Sequence, residues 1–249
     1  MIIQKSSDEI KRIRDSCLIV TEILVSLKDM IVEGINTQEL DRVAETIIYS
    51  RKAQPAFKGY RGYPATICAS INSQVVHGIP STKRKLKQGD IISIDLGVYY
   101  NGFYGDAAYT YPVGKVNERT QRLLRISEES LYRGIEKASE GNRLFDISHA
   151  IQTYVEQSGY SVVKDFVGHG IGRSLHEEPQ IPNYGKKGRG PRLKKGMALA
   201  IEPMVNEGTW EVEILEDGWT AVTKDGKLSS HFEHTVAITQ NGPLILTKL

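Results

Sequence analysis

The chain is poor in cysteine, with two residues in 249, Cys17 and Cys68. Two thiols make no disulfide framework, so a reducing cytoplasmic setting is the default expectation. Long apolar runs are missing too. None approaches the ~18 residues a spanning helix needs. The opening MIIQKSSDEIKR places charge where a secretory leader needs its apolar stretch, and together these features argue against membrane insertion or export. Charge of one sign is also lacking: 32 Lys plus Arg against 30 Asp plus Glu leave a net charge of +2. That balance does not point to DNA or to a lipid surface. With 40% hydrophobic and 25% charged residues, the composition is that of an ordinary globular protein. A chain of this length buries roughly 70% of its unfolded surface, enough for one or two cores.

What the chain does contain is a long internal repeat. LKQGDIISID ends at Asp95 and LKKGMALAIE ends at Glu202, an offset of 107 residues. At the same offset EGINTQELDRVAETII from Glu33 aligns with EGNRLFDISHAIQTYV from Glu140, so that Leu40 meets Ile147 and Ala44 meets Ile151. HGIP at His77 and HGIG at His169 match at an offset of 92, and a Gly/Pro/basic insertion after His176 restores 107 by Leu193. The spacing predicts a single domain over residues 1–249 with duplicated halves, about 7–114 and 115–245.

Apolar spacing predicts helices over 7–31, from 36 or 37 to 48, 119–137 and 145–157. Ser7 and Asp8 supply capping material for the first, and Glu39 is placed for a capping box in the second. Strand-like runs cover 65–70, 90–96, 107–113, 161–166, 197–206, 210–215, 220–222 and 232–239. Asn101-Gly102 is a hairpin signal. Helices and hairpins clustered twice over imply an α+β fold, an antiparallel sheet backed by helices, with a site between the halves.

Four acids draw attention by their neighbours: Asp95 and Glu202 close apolar runs, while Asp106 and Glu233 open strands. A carboxylate in a buried strand is costly unless paired. Four of them facing one another would have to be protonated or neutralised by cations. Few bases lie near in sequence, and two divalent ions would balance four carboxylates. His169, between Gly168 and Gly170, would add a nitrogen ligand. One imidazole with four carboxylates is a hard set that favours Mn²⁺, Fe²⁺ or Co²⁺ without excluding Zn²⁺. Taken singly, each residue has a plainer reading: a strand aspartate is more often a cap or ion-pair partner, and a histidine between glycines more often marks a tight turn.

The order Asp95, Asp106, His169, Glu202, Glu233 resembles the five-ligand signature of the methionine aminopeptidases. The strings INSQVVHGIP, IDLGVYYNGFYGD, GHGIGRSLHEEPQIPNY, IEPMVN and DGWTAVTKDGKLSSHFEHT carry the same likeness, from about Glu9 to Ile245. The resemblance, to the short bacterial type 1 form, implies the pita-bread (creatinase/aminopeptidase) fold: two α/β halves related by a pseudo-twofold axis. It implies a metallo-exopeptidase that hydrolyses the initiator methionine from nascent proteins when the second residue is small, a hydroxide activated between two metals attacking the first peptide carbonyl. Asp106 and Glu233 would bridge the ions, Asp95 would chelate one, and His169 with Glu202 would complete the other. Glu202 would also shuttle the proton, His176 would stabilise the carbonyl oxygen, and His77 would contact the scissile amide. Phe57, Tyr60, Tyr63, Cys68, His77, Leu175 and Trp219 would shape the methionine pocket. Asn72 and Ser229 match positions of a Na⁺ or K⁺ site in some relatives. His149, on a helix, carries no functional expectation, while His231 and His234 flank Glu233, where they would support the ligands from behind.

Rival readings are a proline-directed peptidase of the same fold, a non-catalytic binding protein on the same scaffold, a phosphate loop at GHGIG, and a Cys68–His77 thiol hydrolase. GHGIG lacks both the Walker Lys-Ser/Thr and the GxGxxG spacing, and nothing else supports a thiol nucleophile. The basic clusters Lys83–Lys87 and Lys186–Arg189 read first as solvated loops, with transient contact to ribosomal RNA as the alternative. The expected partners are nascent polypeptide N-termini. A cytoplasmic monomer is the expected state.

Overall fold

Ser6 starts the first helix, α1 (Ser7–Lys28). The Glu9 N–H donates to Ser6 Oγ and the Ser6 N–H to Glu9 Oε2, a reciprocal capping box. The helix buries Ile13, Cys17, Val20, Ile23, Leu24 and Leu27 along one face. It stops three residues before the expected Ile31, because Asp29 caps it by donating to the Leu27 carbonyl and the chain then turns through Gly34 at φ 90°. The second helix, α2 (Thr37–Ser50), takes Asn36 as its cap, and the Glu39 carboxylate receives the Asn36 side-chain amide instead of the cap backbone. Helices α3 (Glu118–Ile135) and α4 (Leu144–Gln157) repeat the pair. This computed structural model describes residues 2–248.

The repeat reappears in the backbone. An isolated antiparallel bridge joins Asn36 to Lys85, and another joins Arg143 to Arg192, each residue 107 positions on. Thr37 N–H donates to the Arg84 carbonyl just as Leu144 N–H donates to that of Pro191. Gly34 N–H meets the Leu86 carbonyl as Gly141 N–H meets that of Leu193. Equivalent segments thus fasten each helix pair to the sheet in front of it.

In the first half, strand 91–100 is the centre of a four-stranded antiparallel sheet. It pairs along its full length with strand 103–112, and on its other edge with strands 68–71 and 54–55. The Asn101-Gly102 turn that joins the two long strands has φ of 50° and 86°, as a two-residue hairpin requires. In the second half a five-stranded antiparallel sheet runs, in spatial order, 242–245, 234–239, 198–201, 167–170 and 177–182. Two three-stranded sheets close the cavity between them: 229–231, 204–206 and 161–162, then 212–214, 221–223 and 74–76. The α1/α2 pair packs on the first large sheet and α3/α4 on the second.

Several strands differ from their expected limits, and the reasons are local. The second long strand begins at Phe103, not Ala107, so Asp106 lies inside it. The expected strand at 65 begins at Cys68, since the Thr66 and Ile67 amides are taken by the Asp41 carboxylate at 2.8 and 3.0 Å. Residues 197–206 form two strands parted at Glu202 and Pro203. Proline has no amide to continue a ladder. Pairing at 161–166 ends at Val162, and the expected strand 232–239 begins at His234, leaving Glu233 in the break after strand 229–231.

Candidate metal centre

Register decides where the acids point. Asp95 sits mid-strand, opposite Cys68 on one side and Ala108 on the other. Asp106 lies on the neighbouring strand opposite Gly97. From the other half come His169 on strand 167–170, Glu202 in the break after Ile201, and Glu233. All five side chains converge on one cavity between the halves, of about 170 Å³. The seam that aligns them is made of specific bonds. Glu233 N–H donates to the Ala108 carbonyl at 2.9 Å, and Thr110 Oγ1 donates to the His231 carbonyl at 2.7 Å while accepting the His231 N–H at 3.0 Å.

Asp106 and Glu233 are buried and Asp95 and Glu202 partly so, and burial together with mutual repulsion raises the pKa of Asp106 and Glu233 well above the ordinary carboxylate range. Asp95 and Glu202 are also raised, chiefly by burial. One oxygen each of Asp95, Asp106 and Glu233 has no hydrogen-bond partner among the described residues. His169 holds its Nδ1 2.9 Å from the Gly170 carbonyl, which fixes the proton there and turns the Nε2 lone pair toward the acids. That Nε2 lies 3.8 Å from Asp106 Oδ2 and 3.7 Å from Glu202 Oε1. Burial lowers the His169 pKa to about 3, so the ring is neutral. A lone pair facing carboxylates across such gaps is repulsive until a cation lies between them. The spacing is that of neighbouring ligands on an ion with bonds of ~2.1 Å. Ligand atoms of Asp106, His169 and Glu233 all fall within 4.8 Å of one another. The donor set therefore fits divalent metal.

Glycines let the backbones approach this closely. A Cβ on Gly168 would sit 2.4 Å from the Ala200 carbonyl, and one on Gly170 would sit 2.3 Å from that of Glu178. Side chains on either flank of His169 would push the strand away from its neighbours.

Around the acids stand the other expected residues. His176 lies with its ring centroid 4.3 Å from that of His169, and its Nδ1 is 2.8 Å from the Tyr60 hydroxyl. Burial lowers its pKa, and the nearby Arg61 lowers it further. His77, lowered to about 4 by burial, adopts φ 61° and meets Trp219 and Phe166 edge-on. Phe57, Tyr63, Cys68, Leu175 and Trp219 line the same cavity. Tyr63 and Trp219 form a T-shaped pair at 5.1 Å, and Asp217 fixes the Trp219 turn by accepting its N–H at 2.9 Å. Asn72 and Ser229 meet elsewhere, the Ser229 N–H donating to the Asn72 carbonyl at 2.9 Å. Ser229 Oγ is buried there without a partner.

Two further residues stand at this site, and of them only His231 was marked in the sequence, as a flank of Glu233. Arg61 lines the cavity mouth. His231 is fully buried, its Nε2 3.4 Å from Glu202 Oε2. Its place two residues before Glu233 was the available signal, but the strand break that turns it inward is not visible in sequence.

Comparison with known proteins agrees with this geometry. Residues 11–240 match the model of metallopeptidase family M24. A methionine aminopeptidase of Clostridium perfringens is 57% identical over 247 residues, 99% of each chain. The crystal structure of the Thermotoga maritima methionine aminopeptidase superposes with a TM-score of 0.99 at 48% identity, covering both chains completely. Prolidase from Pyrococcus furiosus shares the fold at a TM-score of 0.79 and 27% identity, over 99% of this chain and 66% of its own.

Proposed function

The chain belongs to metallopeptidase family M24 and, within it, to the methionine aminopeptidases of the short bacterial type, with their pita-bread fold; from that premise we propose that it removes the initiator methionine from nascent polypeptides whose second residue is small. The observation that carries this reading is a single cavity lined both by five metal-type donors and by apolar, aromatic and thiol side chains. Such a lining suits a flexible thioether.

Asp106 and Glu233 would be shared between two ions, with Asp95 on one and His169 with Glu202 on the other. Bound divalent ions supply Lewis acidity and ionise water near neutral pH. Mn²⁺, Fe²⁺, Co²⁺ and Zn²⁺ all suit the set. The substrate's free α-amine would bind to an ion as well, which would confine cleavage to the first residue. The chain's own groups do the rest. Glu202, buried and poised to hold a proton, takes one from the attacking water and passes it to the leaving amine. His176, whose pKa is lowered by partial desolvation and by Arg61, presents Nε2–H to the carbonyl oxygen as charge develops there, its Nδ1 being engaged by Tyr60. His77 faces the scissile amide.

Asn72 and Ser229 would hold one Na⁺ or K⁺ away from the reacting atoms. The exposed basic loops at 83–87 and 186–189 would touch ribosomal RNA transiently, and the enzyme would act in the cytoplasm as a monomer.

The test is cleavage by chelator-stripped protein, with and without added metal, of Met-Ala-Ser, Met-Lys-Ser, Leu-Ala-Ser and Ala-Pro-Ser. Methionine release from Met-Ala-Ser alone, restored by metal, is the expected result. Cleavage of Ala-Pro-Ser instead would transfer the protein to the proline-directed branch of the fold, and a folded, metal-loaded protein cleaving nothing would make it a binding scaffold.

A further inference from the structure

We propose that Lys5 is a positioning residue for His176, acting through a buried ion pair with Glu177. The inference rests on the reading of His176 as the donor to the substrate carbonyl.

Lys5 lies ahead of α1 and is only 6% exposed, an unusual place for a lysine. Its Nζ donates to Glu177 Oε2 at 2.6 Å and to the Ile3 carbonyl at 3.1 Å. Its own backbone is fastened by donation from Lys5 N–H to the Gly196 carbonyl at 2.7 Å. Glu177 is the residue after His176, and its other oxygen accepts the Arg173 and Ser174 amides at 2.8 and 3.2 Å. Those two bonds fold residues 172–177 into the turn that swings the His176 ring back beside His169. Gly172 packs directly on the pair: a Cβ there would lie 2.5 Å from Lys5 Cε and 2.8 Å from Glu177 Oε1. On the outer side of the same turn Arg173 reaches Glu9 of the α1 capping box at 2.9 Å. The segment from Ile3 to Glu9 therefore clamps the turn from inside and outside.

A buried carboxylate that has lost its cation seeks water or a proton. Without Lys5, Glu177 would swing outward and release the Arg173 and Ser174 amides, and His176 would lose its setting. A shift of about 1 Å in a catalytic group costs up to ~100-fold in rate. Of the metal donors only His169 stands on a strand paired with that of Glu177, and its other edge is held by pairing with Ala200.

The experiment uses full-length, Mn²⁺-loaded protein. Lys5→Met is expected to lower kcat for Met-Ala-Ser by ~10–100-fold while KM stays within about threefold. Metal stoichiometry should not change, and the His176 imidazole ¹⁵N signal of the substrate-free protein should shift or broaden. Lys5→Arg, which keeps the charge, should recover most of the rate. The pair Lys5→Met with Glu177→Gln should be more active than Lys5→Met alone, since Gln still accepts the two amides and leaves no unpaired charge; it also serves if the single variant folds poorly. Lys5→Met with kcat within twofold of the parent overturns the proposal. So does a kcat loss that leaves the His176 signal unmoved, or one matched by an equal loss of metal affinity. Absence of methionine release by the parent protein would instead overturn the proposed function, while the His176 signal would still report on the clamp.

Discussion

Thr235 and Asp106 hold each other across the two halves: Thr235 Oγ1 donates to the Asp106 carbonyl at 2.7 Å and accepts the Asp106 N–H at 3.2 Å. Two residues before Thr235, Glu233 donates its N–H to the carbonyl of Ala108, two residues after Asp106. The two acids assigned to bridge the metals are thus fixed to each other's strands by backbone and hydroxyl alone, before any ion arrives.

Thr235→Val keeps the shape and removes both hydroxyl bonds, leaving the Asp106 amide and carbonyl buried and unpaired. The expected loss is about 2 kcal/mol of stability, read as a fall in Tm. A ~10–100-fold loss of Mn²⁺ affinity, read by isothermal titration, should accompany it. Unchanged affinity would mean the seam does not set the ligand geometry.

Metal removal should expose the strain of the acid cluster as a pH dependence. The four carboxylates have raised pKa values when folded. The metal-free native state therefore binds more protons than the unfolded chain above the ordinary carboxylate value near 4, and stability falls as pH rises. His169 and His77 work the other way, at about 3 and about 4, but only below the ordinary histidine value near 6.5. The clean window is above pH 6.5. There the Tm of metal-free protein should drop toward pH 8.5, and saturating Mn²⁺ should abolish the drop. A flat metal-free profile would contradict the burial of four titrating acids.

His176→Ala should reduce kcat/KM by ~100-fold or more with metal content intact. Tyr60→Phe removes only the hydroxyl that holds Nδ1 and should cost a few-fold in kcat. Because partial desolvation and Arg61 lower the His176 pKa below the ordinary histidine value, its protonation should leave no inflection in kcat between pH 6.5 and 8. An inflection lost in His176→Gln would show that the imidazolium is the working form.

The pocket wall sets specificity by shape. Norleucine in place of methionine differs at one atom, so a peptide Nle-Ala-Ser should be cleaved more slowly by a factor worth ~1–3 kcal/mol. Trp219→Ala opens the wall beside Tyr63 and His77 and should narrow that difference. Complete refusal of norleucine would contradict an apolar slot.

The repeat, both helix pairs and the five converging donors were legible in sequence because each rests on local signals. LKQGD and LKKGM recur at a fixed offset, Asn36 caps its helix, and Asn101-Gly102 turns the hairpin, whereas the first helix takes Ser6 as its cap, one residue before the expected Ser7 and Asp8. Strand limits were less legible, since distant partners set them. Asp41 takes the amides of Thr66 and Ile67, and Tyr104 donates its N–H to the Gly172 carbonyl across the halves. Lys5 escaped notice for the same reason, and His231 drew it only as a flank of Glu233. A lysine near the start of a chain reads as solvated, and only the folded turn at 172–177 brings Glu177 over it.

The central claim is that Asp95, Asp106, His169, Glu202 and Glu233 hold two ions side by side. Anomalous diffraction from crystals soaked in Mn²⁺ tests it directly. The account predicts two peaks in the cavity, with Asp106 and Glu233 touching both. A single peak at high Mn²⁺ would contradict it, as would two peaks sharing neither carboxylate.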